Sequence, residues 1–174
     1  ITALEKEHNV VVEKDEELLD EVVYLLEYPT ALMGSFDEKY LRLPKEVIIT
    51  PMKEHQRYFP VMDAKGELLP HFVTVRNGLP RNIEIVTAGN EKVLRARLAD
   101  AEFFYDEDLK IDLGSNVERL KPIVFHITMG TLVEKVERMV ELAAYLADAL
   151  GEDAEKATRG ADLATADLVS NMVY

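Results

Sequence analysis

A chain of 174 residues with 48% hydrophobic side chains suits one large domain or two small ones, and it can bury a substantial core, which excludes wholesale disorder. Its formal charge of −13 argues against a generic polyanion binder, and the absence of cysteine excludes disulfides, thiolate metal sites and cysteine nucleophiles. No apolar run approaches the ~18 residues of a membrane span and no leader pattern opens the chain, so the sequence predicts a soluble, cytoplasmic protein without membrane contact.

The first element is DEELLDEVVYLL, where Asp15 can cap a helix, Glu16 and Glu17 suit its positive end, and Leu18, Leu19, Val22, Val23 and Leu26 recur at helical spacing. Pro29 forbids continuation. TALMGSF reads as a short strand ending in a turn near Gly34. LPKEVIITPMKEHQ offers a helix beginning at Pro44 and ending or kinking at Pro51. Two strands follow, Tyr58–Met62 and His71–Arg76, around a turn at Asp63–Gly66, with Asn77–Gly78 as a further hairpin signal. Pro60 and Pro70 belong at edges or strand starts, since neither can donate a ladder hydrogen bond. NEKVLRARLADAEFFYDEDL carries Leu94, Leu98, Ala101 and Tyr105 on one helical stripe.

Gly114, Ser115 and Asn116 make a turn-rich stretch that sets a domain boundary, giving a unit over 1–113 and another over 114–174. The second is expected to be all helical. One helix carries Leu132, Val136, Met139, Val140 and Leu146 and stops at Gly151. A second, longer helix spans EKATRGADLATADLVSNMVY. The chain opens on Ile1 and breaks off in LVSNMVY without a stop signal, and so reads as a piece of a longer polypeptide. The fold class is α+β: a mixed α/β domain, then the start of a helical one.

The chemistry of the side chains is sparse. Between Lys53 and Arg97 there are eight basic residues and five acidic ones, a local balance of +3 inside an acidic chain. In KEHQRYFPV, Lys53, His55 and Arg57 alternate, so an extended backbone would place them on one face as a row of phosphate donors. Tyr58 turns inward in that arrangement. His55 has the reference pKa of a general base but no nucleophile or base partner beside it. Lys92 and Arg95 share one flank of a helix at i, i+3, whereas Arg97 lies nearer the apolar stripe and is expected to be ion-paired or buried along its stem. His126, among apolar residues in PIVFHITMG, reads as a hydrogen-bonded core histidine. The acidic runs DEELLDE and YDEDLKID lack the spacing of a calcium loop. No catalytic residue and no metal site is assigned.

LLDEVVYLLEYP, LPKEVIITPMKEHQRYFPV, LLPHFVTVRNG, GNEKVLRARLADAEFFYDEDL and VFHITMGTLVEKVERM, in this order, resemble the beta subunit of the bacterial glycyl-tRNA synthetase. That resemblance implies an α2β2 heterotetramer that joins glycine to tRNA(Gly), with ATP and Mg²⁺ used at the alpha subunit. The beta chain then supplies tRNA binding, with the alpha subunit, tRNA(Gly) and the remaining beta-subunit domains as partners and no cofactor in this part. Residues 1–113 would be similar to the editing domain of the phenylalanyl-tRNA synthetase beta chain, and 114–174 to the start of an HD-type helical domain. In the HD pattern His126 takes the first ligand position and Asp167 the aspartate of the His-Asp pair, but Ala166 stands where the pair's histidine belongs, which predicts an inactive site. Editing is also unexpected, because glycine has no smaller rival to sieve. Lys53, His55, Arg57, Lys92 and Arg95 form the expected tRNA-facing set. The alternatives are an HD-type metal-dependent phosphohydrolase and a purely structural inter-subunit module.

Overall fold

The computed structural model describes residues 1–173, and the chain is of mixed α+β class. It divides into two compact units, 1–103 and 104–174.

The first unit is built on a four-stranded antiparallel sheet in the order β1-β3-β4-β2, with β1 at Val11–Val12, β2 at Pro29–Ser35, β3 at Phe59–Met62 and β4 at Leu68–Asn77. Alternation along β4 explains why both of its faces are covered. On one face Val73 joins Val12, Phe59 and Val61, and helices α1 (Thr2–His8) and α2 (Glu16–Tyr24) close over them through Leu4, Leu18 and Val22. On the other face Phe72 is fully buried beside Tyr58, their rings stacked with centroids 4.6 Å apart. The Tyr58 hydroxyl donates to Asn90 Oδ1 at 2.8 Å, which brings in the long helix α4 (Ile83–Asp108). Leu94 and Leu98 of that helix are fully buried, and Glu102 holds Lys39 and Arg42, each at 3.0 Å.

Several sequence expectations change here. The strand expected at TALMGSF is β2 and ends at Ser35, but Gly34 itself is still paired, opposite Phe72, and a Cβ there would sit 2.5 Å from Phe72 Cζ. The glycine is required by the ring across the ladder. Asn77–Gly78 closes no hairpin either, because β4 pairs with the distant β2 along its length, and the Asn77 side chain accepts the N–H groups of Glu27 and Tyr28. Pro60 sits in an interior strand, not an edge, at a register shift between Pro60 and Met62. Opposite the shift, β4 carries extra residues with Pro70 among them, so neither missing N–H interrupts a regular ladder. The long helix begins at Ile83, well before Asn90.

The expected interruption at Pro51 is present. Helix α3 (Lys45–Thr50) gives way to a single π-helical turn, Pro51–His55, because the proline cannot continue the i→i−4 ladder.

The second unit is not purely helical. After a short α5 (Asn116–Arg119), β5 (Val124–His126) and β6 (Gly130–Thr131) form a two-stranded hairpin. Helix α6 (Leu132–Leu150) then starts on a capping box between Thr131 and Glu134 and ends at Gly151, whose φ of 71° is the left-handed stop expected from sequence. Helix α7 spans only Ala154–Leu163, followed by a 3₁₀ turn at Ala166–Val169, so the expected long last helix is broken in two. Asp108 ties down the segment after that turn, accepting from the backbone N–H groups of Asn171 and Met172 at 2.8 and 2.9 Å. Burial pushes the Asp108 carboxyl up, but these hydrogen bonds outweigh it and hold it below its ordinary value. The core of this unit is Leu120, Leu132, Val136 and Val169.

Replacing Gly34 by Ala is expected to force Phe72 off its rotamer and cost about 1–3 kcal/mol. Urea unfolding of Gly34→Ala, and of Gly34→Ala with Phe72→Leu, checks this: the smaller side chain should recover part of the loss.

Candidate nucleic-acid interface

The π turn decides the geometry of KEHQRYFPV. Lys53 and His55 lie on this helical turn, so the extended row of Lys53, His55 and Arg57 is not formed. Arg57 itself adopts a left-handed φ of 58°, a conformation that glycine or asparagine favours and that costs another L-residue roughly 1–2 kcal/mol. Its backbone N–H donates to the Lys53 carbonyl at 3.2 Å, and the Tyr58 N–H reaches Met52 O at 2.9 Å. These bonds close the turn and point Tyr58 into the core against Phe72, inward as expected but not by way of an extended backbone. Only 3% of Tyr58 is exposed, and burial raises its hydroxyl pKa.

The two cations of the motif have acidic partners. Lys53 Nζ lies 2.9 Å from Glu13 Oε1 and 3.2 Å from Asp15 Oδ2, with its side chain only 17% exposed. Burial pulls the Lys53 ammonium down, but the hydrogen bonds to both carboxylates outweigh it and hold it above its ordinary value. Asp15 works twice, since its other oxygen accepts the Leu18 N–H at 3.0 Å as the N-cap of α2. That backbone bond first, and Lys53 second, hold its carboxyl below the usual range. Arg57 Nε pairs with Glu21 at 2.6 Å, and its guanidinium also caps the Glu54 carbonyl. The cleft so enclosed, lined by Asp15, Glu17, Leu18, Glu21, Lys53, Glu54 and Arg57, has a volume of about 150 Å³. Small-molecule sites usually start near 300 Å³. His55 is exposed and is not part of this lining.

Sequence reasoning missed these partners because it read DEELLDE as a helix start alone. The signal was there: helix α2 presents Glu21 nearly two turns beyond the capping Asp15, and a partly buried Lys53 needs acids from elsewhere.

Helix α4 presents the other expected cations. Lys92 and Arg95 are exposed on one flank, and neither has an ion pair among the described residues. Arg97 is exposed too and without such a pair, contrary to the expectation that it would be paired or buried. The apolar stripe beneath, Leu94–Leu98–Ala101, is narrow enough to leave it outside. The structure therefore brings Lys53 and Arg57 together around the π turn and leaves Lys92 and Arg95 as a separate pair on α4.

In the second unit His126 is not a core residue. It is exposed on the β5–β6 hairpin, where its Nδ1 accepts the Thr128 N–H at 3.3 Å and lies 3.0 Å from the Thr128 hydroxyl. Asp167 is exposed on the 3₁₀ turn, and Ala166, in the place of the second HD histidine, is fully buried. Among the described residues no group of three or more His, Cys, Asp or Glu side chains gathers as a metal site. No helix among the described residues is long and apolar enough to cross a membrane.

Fold and site together define a mixed α+β module that satisfies one set of cations internally and presents another on a long helix. The family model described as glycyl-tRNA synthetase beta subunit matches residues 1–174, and the chain belongs to that family. It is 59% identical over 167 residues to the glycine–tRNA ligase beta subunit of Desulforamulus reducens, covering 94% of this chain and 24% of the relative. The beta subunits of Bacillus subtilis and Moorella thermoacetica are each 53% identical, covering 97% and 100% of this chain but 25% and 26% of their own lengths. The chain thus spans about a quarter of the length of the curated relatives it matches.

The shifted Asp15 carboxyl gives a test of the turn. A carboxyl depressed by folding stabilises above its unfolded value of about 3.9 and loses that contribution as pH falls through the lower folded value. Asp15→Asn keeps a capping oxygen but no charge, so it should be less stable than the parent at pH 7, with the gap closing below about pH 4. Thermal melts of both proteins from pH 7 to pH 3 check this; an unchanged gap would count against the ion pair.

Proposed function

We propose that this chain is part of the beta subunit of a glycine–tRNA ligase and supports ATP-dependent glycylation of tRNA(Gly) through tRNA binding and assembly with a catalytic alpha subunit. The observation that carries the reading is the family match over the whole chain, supported by relatives at 53–59% identity that bear the beta-subunit name. ATP and Mg²⁺ act at the alpha subunit in this reading, and the chain works in the cytoplasm within a heterotetramer. Residues 1–113 are read as an editing-like module without editing activity, and 114–174 as the start of an HD-like domain whose His126 and Asp167 no longer hold a metal.

The exposed pair Lys92 and Arg95 meets the phosphate backbone, with exposed His55 as a further donor. Lys53 and Arg57 contribute by shaping the turn that carries His55, since their charges are already matched by Glu13, Asp15 and Glu21. Phosphate contacts made by exposed cations release counterions, so their loss shows in the salt dependence of binding.

The test is filter or fluorescence binding of tRNA(Gly) to the assembled enzyme carrying Lys92→Ala and Arg95→Ala. Affinity should fall, and the slope of log K against log salt should flatten by about 1 for each phosphate that is no longer neutralised. Unchanged affinity and slope would remove these two residues from the RNA surface. Lys53→Met is expected to act on stability, by leaving two carboxylates without their cation.

A further inference from the structure

Strand β2 forms one end of the four-stranded sheet, so one of its two backbone edges has no strand beside it. The bonds that flank its pairing with β4 fix which residues face that open edge. The Phe36 N–H donates to Pro70 O at 3.0 Å and the Gly78 N–H to Tyr28 O at 2.8 Å. In the register Leu32↔Thr74, the even-numbered residues of β2 therefore bond to β4, and Pro29, Ala31, Met33 and Ser35 turn their backbone groups outward. Two of these four are blocked as donors. Pro29 has no N–H, and the Ser35 N–H is held by Glu91 Oε1 at 2.8 Å. Only Ala31 and Met33 present both an N–H and a C=O, and none of these groups has a partner among the described residues.

Each of the two borders a hollow. Beside Ala31 it measures about 400 Å³ and is apolar throughout, with Leu19, Val23, Leu26 and Val75 in its walls. Beside Met33 it measures about 410 Å³ and carries Glu7 and Glu91 together with His8 and His71. Ala31 and Met33 direct their own side chains to the face where Val12, Leu18 and Phe59 cluster. A residue paired with either would direct its side chain the same way, towards the adjoining hollow. Free ladder groups with side-chain hollows at alternate positions are what β-strand addition uses: backbone bonds hold the guest and the hollows select it.

We propose that this edge of β2 binds a short extended segment of a partner protein in which a Lys or Arg precedes an apolar residue by two positions. The segment runs antiparallel, as every pair in this sheet does. Its apolar side chain enters the hollow beside Ala31, and its cation meets Glu7 and Glu91 beside Met33. The blocked ends keep the ladder short, which suits a reversible guest and not a permanent fifth strand. A second copy does not fit, because its own open edge, PTALMGS, offers no cation and both copies are acidic.

A fluorescein-labelled peptide, Thr-Arg-Thr-Ile-Thr, titrated into the full-length beta polypeptide tests this by anisotropy. It should bind, and exchanging its Arg for Glu should weaken binding about ten-fold or more. Ala31→Pro should weaken it as much with little change in melting temperature, because the lost N–H is one that the sheet does not use. Hydrogen–deuterium exchange resolved to single amides reads the unsubstituted protein. The peptide should slow Ala31 and Met33 about five-fold or more and leave Leu32, which bonds to β4, unchanged. No binding, or equal binding of the Glu peptide, would overturn the proposal. So would Ala31 and Met33 amides protected before any peptide is added: the edge is then taken by the chain itself or, where protection rises with protein concentration, by a second copy.

Discussion

The first unit depends on how Lys53 is neutralised. Its ammonium is partly withdrawn from water and is held by two carboxylates. Glu13 and Asp15 meet it from the segment between β1 and α2. The same Asp15 starts α2, and α2 covers one face of the sheet through Leu18 and Val22. The cation, the cap and the closed core are therefore one arrangement. The π turn that carries Lys53 exists because Pro51 denies the helix a regular continuation, and it ends at Arg57, whose strained backbone is offset by its own bonds to Glu21 and to a helix carbonyl.

This arrangement separates two kinds of basic residue that look alike in sequence. Lys53 and Arg57 are consumed by folding. Lys92 and Arg95 stand on α4 with their side chains in solvent, outside the buried stripe of Leu94 and Leu98. An assignment made on residue type alone would treat the four as equivalent, and their surroundings show that they are not.

How much was legible depends on the range of the interactions. Local signals read well: the Asp15 cap, the break at Pro51 and the Gly151 stop all depend on residues within one or two turns. The failures involve partners far along the chain. Asn77–Gly78 has the composition of a hairpin turn, but β2 offers β4 a longer pairing from some forty residues away, and Asn77 ends up capping the approach to β2. Gly34 looked like a turn because its reason, the Phe72 ring, is on another strand. Lys53, His55 and Arg57 share a face only on an extended backbone, and nothing in their alternation signals that the break at Pro51 would be a π turn. His126 looked buried because apolar neighbours normally mean core, and here the hairpin that holds it leaves Val124, Phe125 and Ile127 exposed as well. The family, by contrast, was legible from long segments in a fixed order, which carry more information than any single motif.

An acidic chain can still approach a polyanion, and the reason lies in screening. At physiological ionic strength the Debye length is about 8 Å, so a phosphate group feels the charges within a helical turn or two far more than the total of −13. Around Lys53 and Arg57 that local sum is close to neutral or negative, because three carboxylates lie within ion-pair distance. Along 92–97 of α4 it is positive, because that stretch carries Lys92, Arg95 and Arg97 and no acid. Glu91 is hydrogen-bonded by the Ser35 backbone and hydroxyl, and Glu102 is paired with Lys39 and Arg42, so Glu102 is matched without Lys92 or Arg95. The acids that make the chain acidic are in part the ones that organise its fold, and their commitment to internal partners is what leaves a cationic stretch of helix in view.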